Sequence, residues 1–272
     1  MAASKTYAEQ QNIKYAQKIN ELLKIFPEFC REYFNSLEYS KQPRTRLAYA
    51  RDLKTFFEFL IAEFPQYSNY QISDFTLHDI ESVTGQHISD YLRYMKVYDK
   101  DGTTVTNDER AAKRKLCSLR RFYGYYYRYE LISNNPSLKV DMPKIHDKAI
   151  TRLDVNEVAE LLDNVENGNK LTTAQLRTHE KLKCRDLALL TLLLGTGIRV
   201  SECVGLDIND VDFDNDRIKV VRKGGSESFV YFGDEVRAAL LDYMEERKQM
   251  NPDSGHENAL FISSKNKRLC VR

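Results

Sequence analysis

Residues 185–202 read RDLALLTLLLGTGIRVSE. Leu187, Ala188, Leu189, Leu190, Leu192, Leu193 and Leu194 form an apolar run that predicts a buried helix, and Arg199 follows it across Gly195 and Gly197. An arginine at the edge of a core is costly unless something negative meets it. Two partners suit it: Glu202, three residues on, as an ordinary helical ion pair, or an anionic ligand.

Working outward from this stretch, RIKVV (217–221), RKGGS and FVYF (229–232) alternate β-branched and aromatic residues around a glycine pair, which predicts a hairpin. Residues 234–249 return to helix, and ALFIS (259–263) reads as one short strand. Upstream, a helix is predicted over 180–194, a polar loop over ENGNKLTTAQ (166–175), and a helix carrying Val155, Val158, Leu161 and Leu162, capped by Asp154 or Thr151.

The first half reads as all helical. Ile13, Ala16, Ile19, Leu22 and Leu23 predict a helix within 8–25, and Phe29, Phe34 and Leu37 a second over 27–37. The stretch 41–64 starts with a proline and with Thr45 as a possible cap, then places Leu47, Tyr49, Leu53, Phe56, Phe57 and Leu60 at helical spacing. Residues 78–98 carry Ile80, Val83, Ile88, Leu92 and Met95 on one stripe, with Gly85 as a possible break. A polar loop over 99–109 leads into a helix marked by Leu116, Leu119, Phe122, Tyr123 and Tyr126, and stopped at Asn134, Asn135 and Pro136. The expected domains are an N-terminal helix (1–25), a helical domain (26–140), a linker (141–150) and a mixed domain (151–272).

Of the 272 residues, 42% are apolar and 30% charged, as in soluble globular proteins. The first ten residues lack the apolar block of a signal peptide, and the run 187–194 is too short to span a bilayer, so a cytoplasmic protein with no membrane partner is expected. Five scattered cysteines form no zinc-like or disulfide-like pattern. The net charge of +1 argues against a strongly basic nucleic-acid binder, but its distribution is uneven. Residues 1–150 hold 23 Lys and Arg against 19 Asp and Glu, leaving 18 against 21 for the rest. Between Arg110 and Arg121 there are six basic residues, Arg110, Lys113, Arg114, Lys115, Arg120 and Arg121, and no acid. Such a run usually marks a solvated helix face. Here the aromatic residues that follow it, Phe122 to Tyr127, point to a helix with cations toward phosphates and rings toward the core.

The second half resembles the tyrosine recombinase (phage integrase) family. Arg185 to Phe232 contains the T-G-hydrophobic-R-hydrophobic-S-E signature, then Leu206, the turn Asp210-Val211-Asp212 and a hairpin with Lys223 before a glycine pair, all in the family's order. Thr45, Tyr49, Asp52, Leu53, Phe56, Phe59 and Leu60 are similar to the family's core-binding helix T-x3-Y-x2-D-L-x2-F-x2-F-L. The resemblance implies a mainly α protein with a small β component. Its parts are an all-helical core-binding (SAM-like) domain and part of an α+β catalytic domain, in a Xer-like or transposon-integrase-like enzyme.

It further implies that Arg199 clamps the scissile phosphate, with Glu202 orienting it and Gly195 and Gly197 letting the DNA approach. A guanidinium suits this because its planar fork meets two oxygens and keeps its proton. Lys223 resembles the family's hairpin lysine, which donates a proton to the leaving 5′ oxygen; a plain turn residue is the other reading. The expected DNA contacts are Arg44, Thr45 and Arg46 at a helix N-terminus, Lys113, Arg114, Lys115, Arg120 and Arg121, and Arg222. The resemblance also implies a 3′-phosphotyrosyl intermediate, double-stranded DNA as partner, four protomers on paired sites, and neither metal nor other cofactor.

The family pattern continues with a His-x-x-Arg box and a tyrosine nucleophile. None of His78, His87, His146, His179 and His256 has an arginine three residues on, and the only tyrosines after Lys223 are Tyr231 and Tyr243. A recombinase truncated before these groups is therefore expected, able to bind DNA but not to cleave it. A non-catalytic DNA-binding derivative of a recombinase and a helical interaction module are the alternatives.

Overall fold

The computed structural model describes residues 6–100, 102–146, 149–222 and 224–271, which form two compact units. The first comprises Gln10–Ala149, and the second Ile150–Arg272 with Met1–Glu9.

In the first unit, α1 (Tyr7–Leu23) is followed by α2 (Glu28–Ser36) and α3 (Pro43–Glu63). Pro43 opens α3 after Gln42, so Thr45 lies inside the first turn and does not cap it. The stripe over 78–98, expected with a possible break at Gly85, forms two helices, α4 (Leu77–Ser82) and α5 (Gly85–Tyr94). Thr84 caps α5 by accepting from the His87 N–H, and this cap, not Gly85 alone, makes the break. The stretch expected as a loop is a hairpin of β1 (Val97–Lys100) and β2 (Thr103–Thr106), paired antiparallel with Lys100 opposite Thr103. Gly102, at φ +74°, stands in the left-handed region just before β2, a conformation that favours glycine. Then α6 (Glu109–Arg128), capped by Asp108, ends before Glu130 at φ +56°, short of the expected stop at Asn134.

The core of this unit is aromatic. Phe26, Tyr33, Phe34, Phe56, Phe57, Tyr91, Phe122, Tyr123 and Tyr126 are buried together, many edge-to-face, as Tyr33 on Phe122 at 5.3 Å and Phe56 on Tyr91 at 5.1 Å. Rings on α2, α3, α5 and α6 thereby fix those helices to one another.

In the second unit, α7 (Val155–Asn167) starts on an Asp154–Glu157 capping box and ends on Gly168 in the left-handed region. A helix α8 (Thr173–His179), capped by Thr172 with Gln175, begins inside the expected polar loop and ends before the expected helix start at Glu180. The apolar run forms α9 (Lys183–Thr196), followed by the single-turn α10 (Val200–Cys203). A three-stranded antiparallel sheet has the order β3 (Val211–Asp212), β4 (Arg217–Val221), β5 (Glu227–Tyr231). Ile218 and Val220 of β4 face inward onto a core with Ala188, Leu192, Leu206, Val236, Leu240 and Tyr243, and α11 (Asp234–Lys248) closes it.

Residues 259–263 are not a strand. Ala259 to Ile262 are buried and held by isolated bridges, Asp207 to Ala259 and Ile262 to Arg268. No helix among the described residues is long and apolar enough to cross a membrane.

Candidate phosphate-binding site and nucleic-acid interface

The end of α9 is set by two glycines. A Cβ on Gly195 would stand 2.6 Å from Val236 Cγ2, so this glycine lets α9 and α11 approach closely. Gly195 is also exposed, so it serves this packing while its backbone stays open to solvent. Gly197, at φ +64°, terminates the helix with its N–H on the Leu193 carbonyl at 2.9 Å. The chain then turns so that Arg199 becomes the N-cap of α10, with Glu202 as the third residue of that helix.

Glu202 is the hub of the arrangement. The Arg199 N–H donates to Glu202 Oε2 at 3.0 Å, and Arg199 Nη1 donates to Oε1 at 2.9 Å. Arg222, at the end of β4, donates from Nη1 to Oε2 at 2.8 Å and from Nε to Ser228 Oγ at 3.0 Å. The Glu202 side chain is only 4% exposed, against 66% for Arg199 and 35% for Arg222. The expected expensive charge is thus the glutamate rather than the arginine. Burial opposes the charge on Glu202, yet the N–H and guanidinium of Arg199, with Arg222 beyond, hold its carboxyl below the ordinary glutamate value. Two guanidiniums share one carboxylate, which leaves one positive charge in excess and fixes both forks before any ligand arrives. Lys223 lies outside the described residues.

A second hub lies in the helical unit. Asp52 on α3, with 2% of its side chain exposed, is ion-paired with Arg114 and, at 3.5 Å, with Lys115, both on α6. Desolvation pushes its carboxyl above the ordinary aspartate value, and the two cations only partly offset this. Arg114 keeps 47% of its side chain exposed, whereas Lys115 is 6% exposed and faces inward. Lys115 is thus a structural cation, not the open phosphate contact expected.

Arg120 is also committed elsewhere. Its Nε and Nη2 donate to the carbonyls of Ser137 and Val140 at 3.3 and 2.8 Å, tying down the chain after α6. Arg46 pairs with Glu38 at 3.4 Å and is 11% exposed, so it too turns inward. Arg44 and Arg110 are exposed, and Thr45, Lys113 and Arg121 are half-buried. Arg44, Lys113 and Arg121 make no ion pair among the described residues.

The profile described as "Phage integrase family" matches residues 151–272. The tyrosine recombinase XerC of Leptospira interrogans (serovar copenhageni, strain Fiocruz L1-130) is 30% identical over 258 residues, covering 91% of this chain and 73% of the relative. The chain belongs to the phage integrase family of tyrosine recombinases. The XerC of Caldanaerobacter subterraneus subsp. tengcongensis is 31% identical over 257 residues, of which this chain spans 65% of the relative's length. Among solved structures, the Tn1549 transposon integrase in complex with circular intermediate DNA matches 88% of this chain and 72% of its own, with TM-score 0.58 and 19% identity. XerH bound to palindromic difH substrate matches 84% of this chain and 58% of its own, with TM-score 0.55 and 16% identity. At such identities the likeness is one of fold.

Against the tyrosine recombinase pattern, the two late tyrosines stand in the hairpin and in the helix after it, and neither follows a His-x-x-Arg sequence. Tyr243 is fully buried, its hydroxyl donating to the Leu260 carbonyl at 3.0 Å and accepting from the Ile262 N–H at 3.2 Å. Burial raises its pKa, the opposite of activation. Tyr231 is exposed on β5, opposite Arg217. No group of three or more His, Cys, Asp or Glu side chains among the described residues is arranged to hold a metal ion.

Reading the sequence missed two members of these clusters. Asp52 was quoted only as part of a helix pattern, although a lone acid in the apolar stripe of α3 is the signal of a buried ion pair. Ser228 carries no signal in the sequence, because its contact with Arg222 exists only once the hairpin register is set.

Proposed function

We propose that this chain grips duplex DNA for site-specific recombination, as the core-binding domain (26–140) and part of the catalytic domain (151–272) of a tyrosine recombinase. The observation that carries this reading is the pair of guanidiniums, Arg199 and Arg222, fixed on the buried Glu202 in a chain of this family. Preorganised cations are what a phosphodiester needs as charge develops on its oxygens. Relatives of the same fold support the substrate class: the Tn1549 integrase and XerH structures each contain DNA.

In this reading Arg199 clamps the scissile phosphate and Glu202 orients it, while Lys223 gives its proton to the 5′ oxygen. The nucleophilic tyrosine of the whole recombinase bonds to phosphorus as the bond to that oxygen breaks. Four protomers on two sites complete the exchange. Arg44, Thr45, Lys113, Arg114, Arg121 and Arg222 contact the DNA, and no cofactor takes part. The 272 residues contain no His-x-x-Arg sequence, and Tyr243 is sequestered, so this chain binds without cutting.

The test is a salt titration of duplex binding beside a suicide-substrate assay for covalent adducts. Binding that weakens steeply with salt, without adduct, is the expected result. An adduct overturns the non-cleaving part of the reading, and absence of salt-sensitive binding overturns the whole.

A further inference from the structure

We propose that Asp52 is a positioning residue for DNA binding, which holds the Arg114 guanidinium in the middle of a basic stripe on α6. The inference rests on the reading of this unit as a DNA-binding domain. On a helix of 3.6 residues per turn, Arg110, Arg114, Cys117 and Arg121 share one face. Arg110 and Arg114 are exposed on it, and Cys117 and Arg121 half-buried. None of these except Arg114 is ion-paired among the described residues.

Arginine is flexible, and a solvated guanidinium ordinarily loses rotamer freedom when it meets a phosphate. Asp52 removes that freedom in advance. Its carboxylate lies 2% exposed beneath the seam of α3 and α6, with one partner wholly inside, Lys115, and one, Arg114, reaching solvent. The platform is itself rigid, since Tyr91 of α5 is fully buried and its hydroxyl donates to the Asp52 carbonyl at 3.4 Å. Lys115 meets the charge of Asp52 within the fold, so Arg114 remains a net cation for a second anion.

The sign of one substitution tests this. If Asp52 were only a negative charge near a polyanion, Asp52→Asn would tighten DNA binding. A positioning role weakens it, by about threefold near 0.1 M salt, although a negative charge has been removed. Arg114→Ala should weaken binding about fivefold and flatten the slope of log K against log salt by about one. In the Arg114→Ala background, Asp52→Asn should add nothing further, and Asp52→Glu should restore part of the loss. Urea midpoints of each full-length variant establish that binding is measured on folded protein.

Tighter or unchanged binding by Asp52→Asn overturns the proposal, as does an equal loss with and without Arg114. If Arg114→Ala binds as tightly as the unaltered chain, the proposal also fails while the DNA-binding reading stands. Failure of the unaltered chain to bind in a salt-sensitive way removes both.

Discussion

Each unit of this protein contains one buried carboxylate shared by two basic side chains, and the two clusters respond to burial in opposite ways. Asp52 shares its charge with a lysine that is itself enclosed and with one arginine, and desolvation prevails, raising its pKa. Glu202 lies under two arginines that both reach solvent and also accepts a backbone N–H, and its pKa falls despite burial. Paired charge alone therefore does not decide the outcome. The difference lies in desolvation, which outweighs the cations at Asp52, and in the backbone N–H of Arg199, a donor that Glu202 has and Asp52 lacks.

The largest expected difference is in stability. Asp52→Ala empties a buried position between α3 and α6 and removes the acceptor shared by Arg114 and Lys115, and should cost about 3 kcal/mol. Glu202→Ala frees two arginines that can turn to water, and about 1–2 kcal/mol is expected. Urea unfolding of the two full-length variants measures both, and equal losses would break the contrast.

Acid sharpens it further. The folded-state pKa of Glu202 lies below 4.5, so its contribution is complete above that value and disappears as pH falls through the lowered one. The folded-state pKa of Asp52 lies above 3.8, so its contribution instead grows as pH falls through the raised value. Between pH 7 and 3.5, the stability gap between the unaltered chain and Glu202→Gln should narrow, and the gap to Asp52→Asn should widen. Parallel curves would mean that the two carboxyls titrate alike.

Smaller effects concern the arginines. Arg222→Lys keeps the charge but cannot reach Glu202 and Ser228 together, so DNA affinity should drop about twofold to threefold with the salt slope nearly unchanged. A slope reduced by a full unit would mean that the lysine no longer meets the phosphate that Arg222 contacts. Ser228→Ala removes one partly exposed hydrogen bond from the same guanidinium, and about 0.5–1 kcal/mol is expected in urea unfolding.

Much of the fold was legible because periodicity and caps are local. The stripe of α3, the apolar run of α9 and the Asp154 cap of α7 each carry their signal within a few residues. The hairpin at 97–106 was hidden under a loop expected over 99–109 because its strands are four residues long and carry one apolar cross-strand pair, Tyr98 with Val105. Asp101-Gly102 was the relevant signal, an Asp-Gly pair between strand-forming residues. The helix α8 was hidden for a related reason, since its start rests on a Thr-Gln capping box with little apolar periodicity.

At the site, the pairing of Arg199 with Glu202 was readable from their spacing. Its inversion, with the acid inside and the base outside, depends on Arg199 standing before the helix rather than in it. The basic run on α6 misled by composition. It has no acid within it, but Asp52 and two carbonyls reach it from segments distant in sequence.

The contact between Gly195 and Val236 has a consequence for reproducibility of position. An added Cβ there would overlap the Val236 methyl, so α9 is seated against α11 as closely as two backbones with one side chain between them allow. Two residues later the helix stops, and two after that Arg199 begins. The arginine's location is thus referenced to the hydrophobic interior through a rigid offset of four residues, and a residue without a side chain sets the tolerance to which its guanidinium is delivered at the surface.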